Sequence, residues 1–232
     1  MNRLFLLVCA VAGSGALLWW WLAPSGNEEA LQAIPARDTA VGAAVQIIAF
    51  GDSLTAGYGL PAREAYPAQL EAALRGVGFD VTVVNAGVSG ETTRGNLERA
   101  AFIRSQNPDI VLLGIGGNDA LRLLPFFETE KNLRETITTL RSGENPPVLI
   151  LLTMQAPLTS GLGYKRDFDA LYKKLAEEYN LITVPFLTTE LFLDSGNKLP
   201  DGIHYNKIGY EKVVNQYLVP TVTEVLERVK GE

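Results

Sequence analysis

Three side chains in this sequence have the types and spacing for nucleophilic chemistry: Ser53, Asp201 and His204. A serine hydroxyl becomes a useful nucleophile only beside a general base, and that base needs a partner that orients it. The chain contains a single histidine, so in any serine-based reaction His204 must be the base. Asp201 precedes it by three positions, close enough within one turn to accept a hydrogen bond from one ring nitrogen, fix the tautomer and stabilise the imidazolium. Ser53 follows an apolar run directly, on a turn flanked by Gly51. A tetrahedral intermediate also needs donors for its oxyanion, and the candidates are the backbone N–H of Ser53, the backbone N–H of Gly87 and the side-chain amide of Asn118. Each residue also has a plainer reading. Ser53 is equally at home in an ordinary turn, His204 as a structural residue, Asn118 as a helix cap and Asp201 as the cap of a turn.

The elements that must position these groups are legible in the apolar pattern. Nearly continuous apolar runs at 45–50, 81–84, 110–115, 148–152 and 181–184 predict strands covered on both faces of a parallel sheet. Amphipathic segments lie between them. Tyr164, Phe168, Leu171, Tyr172, Leu175 and Tyr179 share one helical face, as do Leu133, Ile137 and Leu140. A last helix uses Tyr210, Val213, Val214 and Tyr217, then Val222, Val225, Leu226 and Val229, with Pro220 expected to kink it. Five strands alternating with helices predict a three-layer α/β/α sandwich, flavodoxin-like in class, whose reactive groups gather at the carboxyl ends of the strands. Small polar clusters follow the runs as required: Gly51-Asp52-Ser53-Leu54, Asn85-Ala86-Gly87, Gly116-Gly117-Asn118-Asp119 and, before the last helix, Asp201-Gly202-Ile203-His204.

The amino-terminal region reads differently. No charge occurs from Leu4 through Asn27, and residues 4–22 form an apolar run about long enough to cross a bilayer. It ends in Trp19-Trp20-Trp21, with Arg3 on one side and Glu28 and Glu29 on the other. Residues 1–23 therefore read as an uncleaved signal anchor or a cleaved signal peptide. The missing small-residue site after the run favours the anchor, and a buried apolar helix is the remaining option. Val8 before Cys9 argues against lipidation. Residues 24–44, rich in Ala, Gly and Pro, read as a linker with one short helical turn near 28–32, and residues 45–232 as the folded domain. The expected location is the bacterial periplasm, tethered to the inner membrane, with soluble export as the alternative.

Composition removes other function classes. The 232 residues carry a net charge of −6, which argues against nucleic acid as a partner. One Cys and one His exclude an intrachain disulfide and a Cys/His zinc site. No cofactor or metal is expected.

With the four polar clusters in this order, the sequence resembles the SGNH, or GDSL, hydrolases, from about residue 45 to 226, and within them the bacterial thioesterase/lysophospholipase/arylesterase type. Residues 55–59 and 89–92 carry the finer likeness; Tyr205 departs from it, standing where relatives usually have proline. The resemblance implies Ser53 as nucleophile, Asp201 and His204 completing a triad, and Ser53, Gly87 and Asn118 in the oxyanion hole. It implies hydrolysis of carboxylic esters or thioesters, with small esters, thioesters or lysophospholipids as substrates. A carbohydrate O-deacetylase, with Tyr58, Tyr164 or Tyr205 stacking on sugar, is the alternative; a non-catalytic binding protein is a third. Asp52 and Asp119 read as structural, and Ser89 as a bystander. The apolar stretch 121–127 lines an acyl groove or packs as core or dimer surface, and the loop 155–164 moves over the substrate or simply connects.

Overall fold

The computed structural model describes residues 27–34 and 44–230. Residues 1–23, read as an anchor or signal peptide, lie outside the described residues. Five strands, β1 (Val45–Gly51), β2 (Val81–Gly87), β3 (Ile110–Gly114), β4 (Val148–Thr153) and β5 (Ile182–Pro185), form one sheet in the order β2-β1-β3-β4-β5. All four pairings are parallel, as the unbroken apolar runs require. The central strands are buried along both faces: Ile47, Ala49 and Phe50 of β1 and Ile110, Val111 and Leu112 of β3 have no exposed surface.

Helices cover the sheet. α1 (Asn27–Gln32) comes first; α2 (Ser53–Ala56) and α3 (Tyr66–Gly76) follow β1; α4 (Thr93–Ser105) follows β2; α5 (Gly117–Leu121) and α6 (Phe126–Leu140) follow β3; α7 (Leu162–Tyr179) follows β4; α8 (Thr189–Leu193), α9 (Lys207–Val213) and α10 (Val219–Lys230) follow β5. The expected faces are the buried ones: Leu133, Ile137 and Leu140 of α6, and Phe168, Leu171, Tyr172 and Leu175 of α7. The strand order reverses direction between β1 and β3, and open parallel sheets place their sites at such a switch point.

Two local features differ from the sequence reading. Pro220 does not end in a simple kink. A π-helical turn, Val214–Leu218, joins α9 to α10 immediately before it, and the wider turn takes up the missing N–H and the ring's clash with the preceding turn. The segment read as linker carries α1, whose Ala30 and Leu31 are buried and whose Asn27 grips the outer edge of β5. The Asn27 side chain accepts from the Thr183 N–H (2.9 Å) and donates to the Thr183 carbonyl (3.0 Å), so one carboxamide pairs both backbone groups of that residue as a neighbouring strand would.

The register aligns the carboxyl ends of the three strands that matter. Gly51 lies beside both Gly87 and Gly114. The packing there is closer than a side chain permits: a Cβ on Gly51 would come to 2.1 Å from the Gly114 carbonyl oxygen. This floor of glycines lets the loops after β1, β2 and β3 converge.

Candidate active site

Ser53 is the first residue of α2, a single turn that begins as soon as β1 ends. Asp52 caps it, accepting the Leu54 N–H at 3.0 Å, and Gly57 closes it with φ 76°, a left-handed backbone suited to glycine. Buried tyrosines hold the turn from beneath, with the Tyr210 hydroxyl donating to the Leu54 carbonyl at 2.8 Å. As first residue of a helix, Ser53 has a backbone N–H without an intrahelical acceptor.

His204 and Asp201 arrive from the loop between α8 and α9. Antiparallel pairing of Lys198 with Tyr205 and a bond from the Leu199 N–H to the His204 carbonyl (2.8 Å) pin that loop. Asp201 divides its oxygens. Oδ1 accepts the backbone N–H groups of Ile203 (2.9 Å) and His204 (3.0 Å), while Oδ2 lies 2.7 Å from His204 Nδ1. Partial burial works against its charge, but these N–H donors and the imidazole outweigh that and hold its pKa down to about 2. An ionised Asp201 fixes the proton on Nδ1 and leaves Nε2 as acceptor. Nε2 lies 2.8 Å from Ser53 Oγ, across a chain separation of 151 residues. The Tyr58 ring, half exposed, lies over the imidazole with centroids 4.6 Å apart.

Asn118 stands on the far side of Ser53, in the first turn of α5. Its amide donates to the Glu91 carbonyl at 3.0 Å and lies 3.5 Å from Asp52 Oδ2. Gly87 is the residue whose geometry departs from the sequence reading. Its N–H, expected to face an oxyanion, donates to Asn85 Oδ1 at 3.0 Å. What the position visibly needs is the absence of a side chain: a Cβ would sit 2.2 Å from the Ala56 nitrogen and 2.7 Å from the Thr55 carbonyl carbon. Gly87 thus lets β2 close against the turn that carries Ser53.

Sequence reasoning took Asp52 as a turn former, which it is, but missed its electrostatic state. Burial, and then the charges of Asp119 and Glu91, raise its pKa to about 7 against the pull of the Leu54 N–H and the Asn118 amide. Only the three-dimensional crowding of acids reveals this. Asp119 is structural, accepting from the Thr93 N–H (2.9 Å), the Thr93 hydroxyl (2.6 Å) and the Thr129 hydroxyl (3.3 Å). Ser89 lies on the exposed loop after β2, and the chain's one imidazole is bonded to Ser53. Of the three tyrosines considered for sugar stacking, only Tyr58 lies against the triad. Tyr205 is fully buried with its hydroxyl on the Phe186 carbonyl, and Tyr164 packs against Phe126 and Phe168.

A cleft of about 420 Å³ opens at Ser53, His204 and Asn118. Its walls are mainly apolar: Leu121 on one side, Ala156, Pro157 and Leu158 on another, and Leu187, Leu193 and Ile203 on a third. Of the stretch 121–127, Leu121 reaches the cleft, whereas Leu123 and Phe127 are exposed. The Thr189 hydroxyl donates to Gln155 Oε1, joining the loops after β4 and β5 at the cleft wall. The arrangement supplies a nucleophile, a base with a fixed tautomer, the Ser53 N–H at the start of a helical turn and an apolar channel, the parts needed for acyl transfer to water.

Known proteins carry the same pattern. Residues 49–212 match the profile of the GDSL-like lipase/acylhydrolase family. Thioesterase 1/protease 1/lysophospholipase L1 of Escherichia coli is 35% identical over 166 residues, 71% of this chain and 77% of that protein. The arylesterase of Vibrio mimicus is 34% identical over 164 residues, 70% of this chain and 80% of its own length. Among solved structures, the psychrotrophic esterase EstA from Pseudoalteromonas sp., inhibited there by monoethylphosphonate, superposes with a TM-score of 0.72 at 25% identity. The match covers 78% of this chain and 98% of EstA. A crystal structure of TesA gives 0.71 at 29% identity, covering 78% of this chain and 99% of that one. Fold, strand-end clusters and relatives agree: this chain belongs to the GDSL-like lipase/acylhydrolase family, the SGNH hydrolases.

Proposed function

We propose that this protein hydrolyses carboxylic esters and thioesters of apolar acyl groups through an acyl-enzyme on Ser53. The observation that carries the reading is the continuous relay from Asp201 through both nitrogens of His204 to Ser53 Oγ, with contacts of 2.7 and 2.8 Å. Ser53 Oγ bonds to the acyl carbon while His204 Nε2 takes its proton. The Ser53 N–H and, once turned from the Glu91 carbonyl, the Asn118 amide stabilise the oxyanion. His204 returns the proton to the departing alcohol or thiol. A water, deprotonated by the same nitrogen, then releases the acid and regenerates Ser53.

The apolar cleft beside Ser53 favours an acyl chain over an acetylated sugar and so supports simple esters, thioesters and lysophospholipids as the substrate class. The apolar run at residues 4–22 supports export to the periplasm with retention on the inner membrane. Fluorophosphonate labelling followed by peptide mass spectrometry tests the nucleophile, with the adduct expected on Ser53. Absence of an adduct in folded protein would remove the hydrolase reading. A panel of p-nitrophenyl esters from two to twelve carbons, set against acetylated sugars, tests the substrate class. Rates that rise with chain length support it, and turnover confined to acetylated sugars supports the deacetylase instead.

A further inference from the structure

The mouth of the cleft is bordered by exposed aliphatic side chains. Leu158 is 74% exposed, Leu193 70%, Leu121 49% and Ile203 40%, and all four border the cleft. Two more, Leu162 at 84% and Phe127 at 67%, lie outside the cleft. Leu162 follows Leu158 by four residues, across a turn closed by the Gly161 N–H on the Leu158 carbonyl, and Phe127 sits beside Phe126, whose ring packs on Tyr164 of Leu162's own helix. Grouped exposure of this kind marks an interaction surface.

The amino-terminal attachment indicates what covers it. Asn27 is fastened to Thr183 of β5, and Leu187, four residues beyond Thr183, borders the cleft. The apolar run of the sequence ends at Leu22, so only Ala23, Pro24, Ser25 and Gly26 separate it from the fastened residue. Four residues span at most about 14 Å. On the anchor reading the folded domain is therefore held within that span at the edge of β5, not on the twenty-one residues read as linker, and β5 leads on into the cleft wall at Leu187. A protein partner or second copy seated on these side chains would cover the mouth of the cleft that leads to Ser53, whereas a lipid layer would deliver an ester to it. The chain's charge of −6 gives no reason to prefer anionic lipid. Among the described residues no helix is long and apolar enough to cross a membrane.

We propose that the apolar ring around the cleft is a lipid-docking surface, held by the short amino-terminal leash, through which lipid esters pass directly from a zwitterionic bilayer into the site. The proposal rests on the esterase and anchor readings above and adds the face on which the domain sits.

The test uses the full chain reconstituted in phosphatidylcholine vesicles. In a Cys9→Ser background, a polarity-sensitive fluorophore is attached through Leu162→Cys, and through Val77→Cys as a control on the exposed turn at the amino end of β2. The Leu162 probe is expected to shift to the blue on reconstitution and to be quenched by lipids brominated on the acyl chain, with the Val77 probe unaffected. The double variant Leu162→Glu/Phe127→Glu is expected to lose at least tenfold in turnover of vesicle-borne long-chain lysophosphatidylcholine, with hydrolysis of soluble p-nitrophenyl acetate unchanged. A Leu162 probe that stays in water, or equal losses on both substrates, would overturn the docking surface. Absence of p-nitrophenyl acetate hydrolysis in the unmodified chain would instead overturn the esterase reading, and the fluorescence arm, which needs no turnover, would still decide the docking.

Discussion

Asp201 uses one oxygen to shape the turn that presents His204 and the other to hold the ring, so its charge supports both the position and the tautomer of the base. Asp201→Asn is expected to lower kcat on a short ester by more than about a hundredfold with little change in KM, because ground-state binding does not use the carboxylate. Ser53→Ala and His204→Ala are expected to cost more than about a thousandfold each, and the double variant little beyond either, in steady-state assays. Asp52 calls for a different measurement. Its pKa is about 4 when unfolded and about 7 when folded, so between these values the native state binds the extra proton. Its contribution to stability is complete below pH 4 and declines as pH rises through 7, on the order of 4 kcal/mol in all. Thermal melts from pH 4 to 8 should show a falling component in the wild type that Asp52→Asn lacks; identical slopes would refute the buried, protonated acid. At this scale the triad was readable because one histidine left no choice of base. The Gly87 N–H was not, since its acceptor, Asn85, is a residue any turn might contain.

Elements explain why glycine stands where it does. β2 can close on α2 only because position 87 lacks a Cβ, so Gly87→Ala must push the Ser53 turn out of place. The expected cost is about 1–3 kcal/mol together with a fall in kcat, measured by denaturation and kinetics on the same preparation. Both edges of the sheet are dressed by side chains. Glu71 accepts the Val83 N–H (2.7 Å) and Arg75 donates to the Val81 carbonyl (2.8 Å) on β2, while Asn27 does both for β5. Asn27→Ala should therefore destabilise by about 1–3 kcal/mol and speed amide exchange at Thr183, which stripped backbone groups would allow. The five strands were legible because unbroken apolar runs have few other uses. α1 was legible only as a turn, since six residues carry too little periodicity to reveal a docking face. Pro220 advertised a break, but the π turn that absorbs it depends on packing around Val214 and Leu218, both buried.

The whole molecule is acidic, with an isoelectric point near 5.0. Its solubility in detergent should be lowest near that pH, where self-repulsion vanishes, and light scattering across pH 4 to 8 measures it. The layered architecture was legible from the alternation of runs and amphipathic segments. The cleft was not, because its walls come from loops after three different strands whose convergence only the sheet order dictates. The 151 positions between Ser53 and its base carry a last consequence. A polypeptide still being made, or clipped before position 201, owns the hydroxyl but no imidazole to activate it. Such a fragment lacks its base, and the first ester is cut only after His204 has been made and packed against Ser53.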